Sequence, residues 1–277
     1  MGKYTGIIIV SDVDGTFLSR IPEIYKKNVQ AIERFKADGG IFTFATGRDF
    51  HSLKIVVPDA EDIANAPIIA SNGASLYNFR EEVYIVDEKL NMPEFMKIAK
   101  IIMAKYPEIG IRFSGNDTFM TPDINDIIKE DLTKDKDKKL YEKVREIPLD
   151  KINNATKCVI VHAPEILDDV QKICEALDKE QNFYLAKSYD RGLEVVNKTC
   201  TKGKTSRKLK EYLEMSDGIL YAIGDYYNDH DMLLSADVAV CPQNAVDAIK
   251  AAAKIITKSC DEGAIADLIE IITERIL

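Results

Sequence analysis

An α/β fold with a mainly parallel sheet, interrupted by an α+β insert, is predicted by three observations. At both ends of the chain, short β-branched runs alternate with stretches carrying apolar residues at helical spacing. In the middle third that alternation gives way to mixed strands and helices with hairpin character. Carboxylate-rich polar segments directly follow the outer strands, where a buried strand needs no such groups. At about 150 residues per domain, 277 residues allow roughly two domains.

The elements follow in order. Ile7 to Val10 is the first strand; a helix then covers Pro22 to Asp38, with Val29, Ile32 and Phe35 recurring every three residues and Gly39-Gly40 ending it. Ile41 to Ala45 is the second strand, followed by a helix through Leu53, Ile55 and Val56; Ile68 to Ala70 is the third, running into Ser71-Asn72-Gly73. Ser75-Leu76-Tyr77 and Val83 to Val86 flank a polar turn and read as a hairpin. The insert holds a helix near Met92 to Tyr106, strands near Ile111 to Phe113 and Lys157 to His162, a helix from Pro164 to Leu177, and strands near Phe183 to Lys187 and Leu193 to Val196. Within it, Lys129 to Lys143 is dense in charges of both signs and reads as a solvated loop and helix face. Alternation resumes after Cys200 with a helix from Thr205 to Leu213, a strand from Leu220 to Ile223, a helix near Asp229 to Leu234 and a strand from Val238 to Val240. A helix from Ala245 to Ala253, the short strand Ile255-Ile256 and a last helix complete the chain. Residues 1–86 and 196–277 therefore form one domain, interrupted by a second spanning 87–195.

Composition narrows the function. The chain is 46% hydrophobic and 30% charged, which fits a soluble globular protein. Thirty-seven basic against 46 acidic side chains give a net charge of −9, which argues against a nucleic-acid surface, since that requires a concentrated basic face. Five cysteines, odd in number and without C-x-x-C spacing, indicate neither a disulfide framework nor a zinc site, so a reducing compartment is expected. The apolar run Ile7 to Val10 is too short for a signal sequence or a membrane span, and a cytoplasmic location is expected. The sequence carries no signal of oligomeric state.

In a parallel sheet, ligands gather beyond the carboxyl ends of the strands. The first strand ends in Ser11-Asp12-Val13-Asp14-Gly15-Thr16, the second in Thr46-Gly47-Arg48, and the strand at Leu220 in Gly224-Asp225-Tyr226-Tyr227-Asn228-Asp229. Taken singly, Asp12 and Asp14 are a turn or capping pair and Thr46 is a helix cap. Together they bring carboxylates, a hydroxyl and backbone donors to one crevice. Crowded carboxylates require a cation, and oxygen ligands without His or Cys select Mg2+, with phosphate as its natural co-ligand. A carboxylate can attack phosphorus, a second can serve as acid and base, and a fixed lysine would complete the charge balance. Lys198, Lys202 and Lys204 are the candidates, and spacing alone does not choose among them. Gly203-Lys204-Thr205 is no P-loop, because Lys198 stands where that motif needs glycine. His51, His162 and His230 are scattered and offer no rival site.

Asp12-Val13-Asp14-Gly15-Thr16, Thr46-Gly47-Arg48, Lys202-Gly203 and Gly224-Asp225 through Asp229 occur in the order and strand-end context of the haloacid dehalogenase (HAD) superfamily. The chain resembles its Cof-type phosphatase branch, with a large C2B-type cap inserted after the third strand. Ser71-Asn72-Gly73-Ala74, Asn244-Ala245 and Asp261-Glu262-Gly263-Ala264 are similar to that branch too. The resemblance spans nearly the whole chain, the cap matching in size and position. It implies a Rossmann-like core, Asp12 as nucleophile and magnesium ligand, and Asp14 as general acid/base with its carbonyl on the metal. It further implies Asp225 as a third metal ligand, with Thr46, the Gly47 and Val13 amides, Lys202 and Asn228 on the phosphoryl group. Asp229 would orient the metal shell or Lys202, and Arg48, Asn72 and Gly73 are candidate substrate contacts. One departure stands out: relatives often carry glycine before the late Asn-Ala, whereas this chain reads Cys241-Pro242-Gln243-Asn244-Ala245, and proline removes an amide donor.

The function expected is magnesium-dependent hydrolysis of small phosphate monoesters, such as sugar phosphates, through an aspartyl-phosphate, with the cap choosing the substrate. The expected partner is a small phosphorylated molecule, not nucleic acid or membrane. A sugar phosphomutase, returning the phosphoryl group to sugar, and a non-catalytic phosphometabolite sensor are the alternatives. The presence of both Asp12 and Asp14 speaks against the sensor, because binding phosphate needs no acid/base pair.

Overall fold

Strand β1 (Ile7–Ser11) is buried along its whole length, and its side chains divide strictly by parity. Ile7 and Ile9 join one apolar cluster, Ile8 and Val10 another. This two-sided burial is what a parallel sheet covered by helices on both faces demands. At roughly 1.5–3 kcal/mol per large apolar side chain removed from water, such strands are the main source of core stability. The computed structural model describes residues 2–115, 118–133 and 142–276. It divides into two compact units, Met1–Val86 with Thr201–Leu277, and Asp87–Cys200. Among the described residues, no helix is long and apolar enough to cross a membrane.

In the first unit, β1 leads through a tight turn to α1 (Pro22–Ala37), β2 (Ile41–Phe44), α2 (Phe50–Val56), α3 (Ala60–Ile63) and β3 (Ile68–Ala70). Pro22 opens α1, where its missing N–H costs nothing. Buried Asn28 of α1 donates to the Phe17 carbonyl at 3.2 Å and accepts from the Ala266 amide at 3.1 Å, tying the helix to two neighbours. Strands β4 (Ser75–Asn78) and β5 (Val83–Asp87) follow.

In the second unit come α4 (Met92–Lys105), β6 (Gly110–Ser114), β7 (Phe119–Thr121), α5 (Asp126–Thr133), β8 (Val144–Glu146), β9 (Lys157–Val161), α6 (Pro164–Leu177), β10 (Phe183–Tyr189) and β11 (Gly192–Asn197). They form a six-stranded sheet in the order β10-β11-β9-β6-β7-β8, antiparallel except for β7 with β8. One face packs Ile111, Phe113, Cys158 and Val195 against α4 and α6. The other carries the buried ion pair Lys157–Glu194 at 2.9 Å and the pair Arg112–Asp131 at 3.0 Å.

The chain returns to the first unit with α7 (Lys202–Tyr212), β12 (Ile219–Ile223), α8 (His230–Ser235), β13 (Val238–Pro242), α9 (Asp247–Ala252), β14 (Ile255–Thr257) and α10 (Ala264–Ile276). The central sheet is β14-β13-β12-β1-β2, parallel throughout.

Four features differ from the sequence reading. β3 meets the parallel sheet through the isolated bridge Ala45–Ile69, while its ladder is antiparallel with β4, in a separate sheet β3-β4-β5. The second unit runs to Cys200 rather than to residue 195, because β11 continues to Asn197 and the Lys198 amide bonds the Asn182 carbonyl at 2.8 Å. Strands β7 and β8 had no expected counterpart, being three residues each. α7 begins at Lys202 instead of Thr205, because the Thr201 hydroxyl caps it by accepting from the Lys204 amide. Of the charge-dense segment, α5 covers the beginning, and residues 134–141 lie outside the described residues.

Candidate active site

The site is built at the carboxyl ends of β1, β2 and β12. The Asp12 amide donates to the Ile223 carbonyl at 2.9 Å, so Asp12 is still held on the ladder between β1 and β12. The chain then turns through Gly15, whose φ is +79°. A Cβ there would lie 2.4 Å from Asp225 Oδ2, so only glycine lets the turn approach so closely. Thr16 follows and donates its hydroxyl to Asp225 Oδ1 at 2.8 Å.

Asp225 leaves β12 through Gly224, where a Cβ would lie 2.4 Å from Asp229 Cγ. That close passage lets Asp229 Oδ2 accept from the amides of Asp225 and Tyr226, at 3.0 and 3.2 Å. Its other oxygen, Oδ1, accepts from Lys202 Nζ at 2.6 Å, while the same ammonium donates to Asp12 Oδ1 at 2.5 Å. The helix cap at Thr201 therefore decides which lysine serves: it sets Lys202 in the first turn of α7 with its side chain fully buried. Lys198 instead bonds Gln181.

Burial pushes the Asp12 carboxyl well above the usual range; the charges of Asp229, Asp225 and Asp14 add to this, and Lys202 opposes it. Asp225 is pushed up to about 7 by burial and Asp229, against the Thr16 hydrogen bond and Lys202. Burial disfavours the Lys202 ammonium, but Asp12 and Asp229 outweigh it and hold its pKa above the ordinary value. Asp12, Asp225 and Asp229 each offer a carboxylate oxygen, all within 4.8 Å of one another. One ammonium cannot balance three clustered carboxylates, two of them buried. A hard divalent cation with oxygen ligands fits this donor set.

Asp14 lies apart from that group. Its side chain is 51% exposed and both its oxygens accept from Arg48, Oδ2 from Nε at 2.8 Å and Oδ1 from Nη2 at 2.9 Å. Arg48, expected as a substrate contact, is thus joined to the expected acid/base. Thr46 is buried, its amide donating to Ile69 and its hydroxyl accepting from the Arg48 amide at 3.1 Å, and Gly47 lies between them. The Asn72 amide donates to the Thr46 carbonyl at 3.0 Å, and Asn72 Oδ1 accepts from Asn228 Nδ2 at 3.2 Å, so these three expected residues come together. Val13, next to Asp12, is buried in the core. Gly73 has a different reason for being glycine. Its φ is +95° and a Cβ would meet the Thr201 carbonyl at 2.3 Å, while its own carbonyl accepts from the Thr205 hydroxyl at 2.7 Å.

Two contributors were given no role in the sequence reading. Thr16 stood inside a motif already noticed, without a role of its own. Asn244 donates to the Gly15 carbonyl and accepts from the Cys260 amide, both at 2.8 Å, so the loop after Pro242 braces the turn that carries Asp14. Pro242 ends β13 there, and the Val246 amide bonds the Asp225 carbonyl at 3.1 Å.

A doubly wound parallel core with a carboxylate–lysine cluster at its strand ends is an arrangement suited to phosphoryl transfer. The chain belongs to the haloacid dehalogenase-like hydrolases, whose family pattern matches residues 9–269. It is 25% identical over 285 residues to 5-amino-6-(5-phospho-D-ribitylamino)uracil phosphatase YwtE of Bacillus subtilis, covering 95% of this chain and 96% of the other. Among solved structures, a protein of Thermotoga maritima matches with a TM-score of 0.75 at 26% identity, covering 97% of each chain. A sugar phosphatase of HAD subclass IIB shares the fold, with a TM-score of 0.80 at 20% identity, over 98% of this chain and all (100%) of the other.

Proposed function

We propose that this phosphatase is magnesium-dependent, acts in the cytoplasm on small phosphate monoesters such as sugar phosphates, and works through an aspartyl-phosphate on Asp12. The observation that supports it best is Lys202 bonded at once to Asp12 and Asp229, beside Asp225, in a buried group short of positive charge. A lysine so fixed holds the Asp12 carboxylate in one orientation and presents a permanent cation where phosphoryl oxygens gather.

Asp12 attacks phosphorus as the ester P–O bond breaks, and Asp14 gives a proton to the departing oxygen. Asp14 then takes a proton from water as the water oxygen attacks phosphorus; the bond to Asp12 breaks and inorganic phosphate leaves. Thr46, the Gly47 and Val13 amides, Asn228 and Lys202 hold the phosphoryl oxygens, and Asp229 keeps Lys202 in place. Magnesium held by Asp12, Asp225 and the Asp14 carbonyl would supply the remaining positive charge.

The test is phosphate release, with magnesium, across hexose, pentose, polyol and nucleotide phosphates and pyridoxal phosphate. The polyol arm is included because the Bacillus subtilis relative is named for a phosphoribityl compound. Turnover confined to sugar and polyol phosphates supports the reading. Conversion of a sugar phosphate to its isomer with no free phosphate would replace it by a mutase.

A further inference from the structure

We propose that Arg48 is a positioning residue for Asp14, fixing the carboxylate in the orientation from which it exchanges protons with the leaving group and with water. The inference rests on the acid/base role given to Asp14 above, but the observations behind it are separate. Arg48 meets both oxygens of Asp14 side by side, at 2.8 and 2.9 Å. A guanidinium fork can do this, and a lysine ammonium cannot.

Both ends of the pair are rigidly mounted. The Arg48 amide donates to the Thr46 hydroxyl at 3.1 Å and its carbonyl accepts from the Ser71 amide at 2.8 Å, which pins its main chain between the ends of β2 and β3. Asp14 is followed by Gly15, pressed against Asp225 and held by Asn244 at 2.8 Å. Stability does not account for such mounting, since the two side chains are 20% and 51% exposed and pairs in that setting contribute little. Orientation does. A group that transfers protons must stay within hydrogen-bond reach of the reacting oxygen, and the fork removes the rotational freedom that a half-exposed aspartate otherwise has.

The test compares two aryl phosphates of like shape, using the full chain with magnesium. 4-Nitrophenyl phosphate has a leaving oxygen that needs little protonation, whereas that of phenyl phosphate needs much more. Arg48→Lys keeps the charge and loses the fork. If Arg48 acts through Asp14, kcat/KM, which reports the step in which the leaving group departs, falls about tenfold or more further for phenyl phosphate than for 4-nitrophenyl phosphate. In an Asp14→Asn background the same substitution changes neither value further. Residual turnover of 4-nitrophenyl phosphate shows that the variant is folded. If Arg48 binds substrate directly, KM rises alike for both esters and the losses add to those of Asp14→Asn; that overturns the positioning role and leaves the phosphatase reading standing. Wild-type protein that releases phosphate from neither ester, nor from any of the sugar and polyol phosphates above, removes the reaction itself and overturns both.

Discussion

Lys202 and Asp12, 190 residues apart in the chain, meet at 2.5 Å in a fully buried contact, and the same ammonium reaches Asp229. Lys202→Met would leave two carboxylates facing each other without their cation. Breaking a buried pair from one side costs about 3–5 kcal/mol, so the urea midpoint should fall by that equivalent in metal-free buffer. Phosphate release should drop at least about 100-fold. An unchanged midpoint would mean the ammonium is not the charge that holds this cluster.

Asp12→Asn should abolish turnover, because an amide supplies no attacking oxygen. Asp14→Asn keeps the nucleophile but lacks the proton donor and the base. Brief exposure to an ester with a good leaving group, followed by intact-mass measurement, should show a phosphate adduct on the Asp14→Asn protein and none on Asp12→Asn. An adduct on Asp12→Asn, or easy steady turnover by Asp14→Asn, would reject the assignment.

Exhaustive chelation should abolish phosphate release, and magnesium should restore it without any need for zinc, since Asp12 and Asp225 offer only oxygen. Binding to the folded state alone also stabilises it. Magnesium should therefore raise the melting temperature of the wild type and have little effect on Asp225→Asn. Full activity after chelation would sink the metal assignment.

Gly15→Ala would force a Cβ to within 2.4 Å of Asp225 Oδ2 at a φ of +79°. The left-handed backbone alone costs a side chain about 1–2 kcal/mol, and the clash moves either the turn or Asp225. Denaturant unfolding should register that loss or more, with kcat falling further than stability explains. Gly6 provides the control: its φ is +87° but nothing lies within 4 Å of its added Cβ, so Gly6→Ala should show the backbone cost without the loss of turnover.

Asp237 tests the electrostatics of the scaffold away from the site. Burial opposes its charge, but the Leu220 amide at 2.8 Å and Lys210 at 3.1 Å outweigh it and lower its pKa below the ordinary value. A lowered folded-state value stabilises above the unfolded value of about 3.9, and that contribution disappears as pH falls through the folded-state value. Since the carboxylate is half exposed, Asp237→Asn should cost only about 0.5 kcal/mol at neutral pH, a gap that closes in acid. Unfolding curves at pH 7 and below pH ~3 check this.

The sequence by itself determined the strands of the parallel core and set Asp12 and Asp225 just past the ends of two of them. Runs such as Ile7 to Val10 can be satisfied only by burial on both faces, and parallel strands then bring their ends, with Asp12 and Asp225, to one edge. Tertiary structure alone decided the rest. A cap at Thr201 put Lys202, not Lys198 or Lys204, against Asp12. The turn at Gly15 carried Asp14 outward to Arg48, 34 residues away. Asn244 found the Gly15 carbonyl from 229 residues away, and Gly73 proved to be a packing glycine against Thr201. Periodicity and local motif report the burial and turning of a segment through its own residues, whereas each of these contacts joins polar groups from separate segments. Their partners are selected by the closing of the sheet and the docking of α7, which no local pattern encodes.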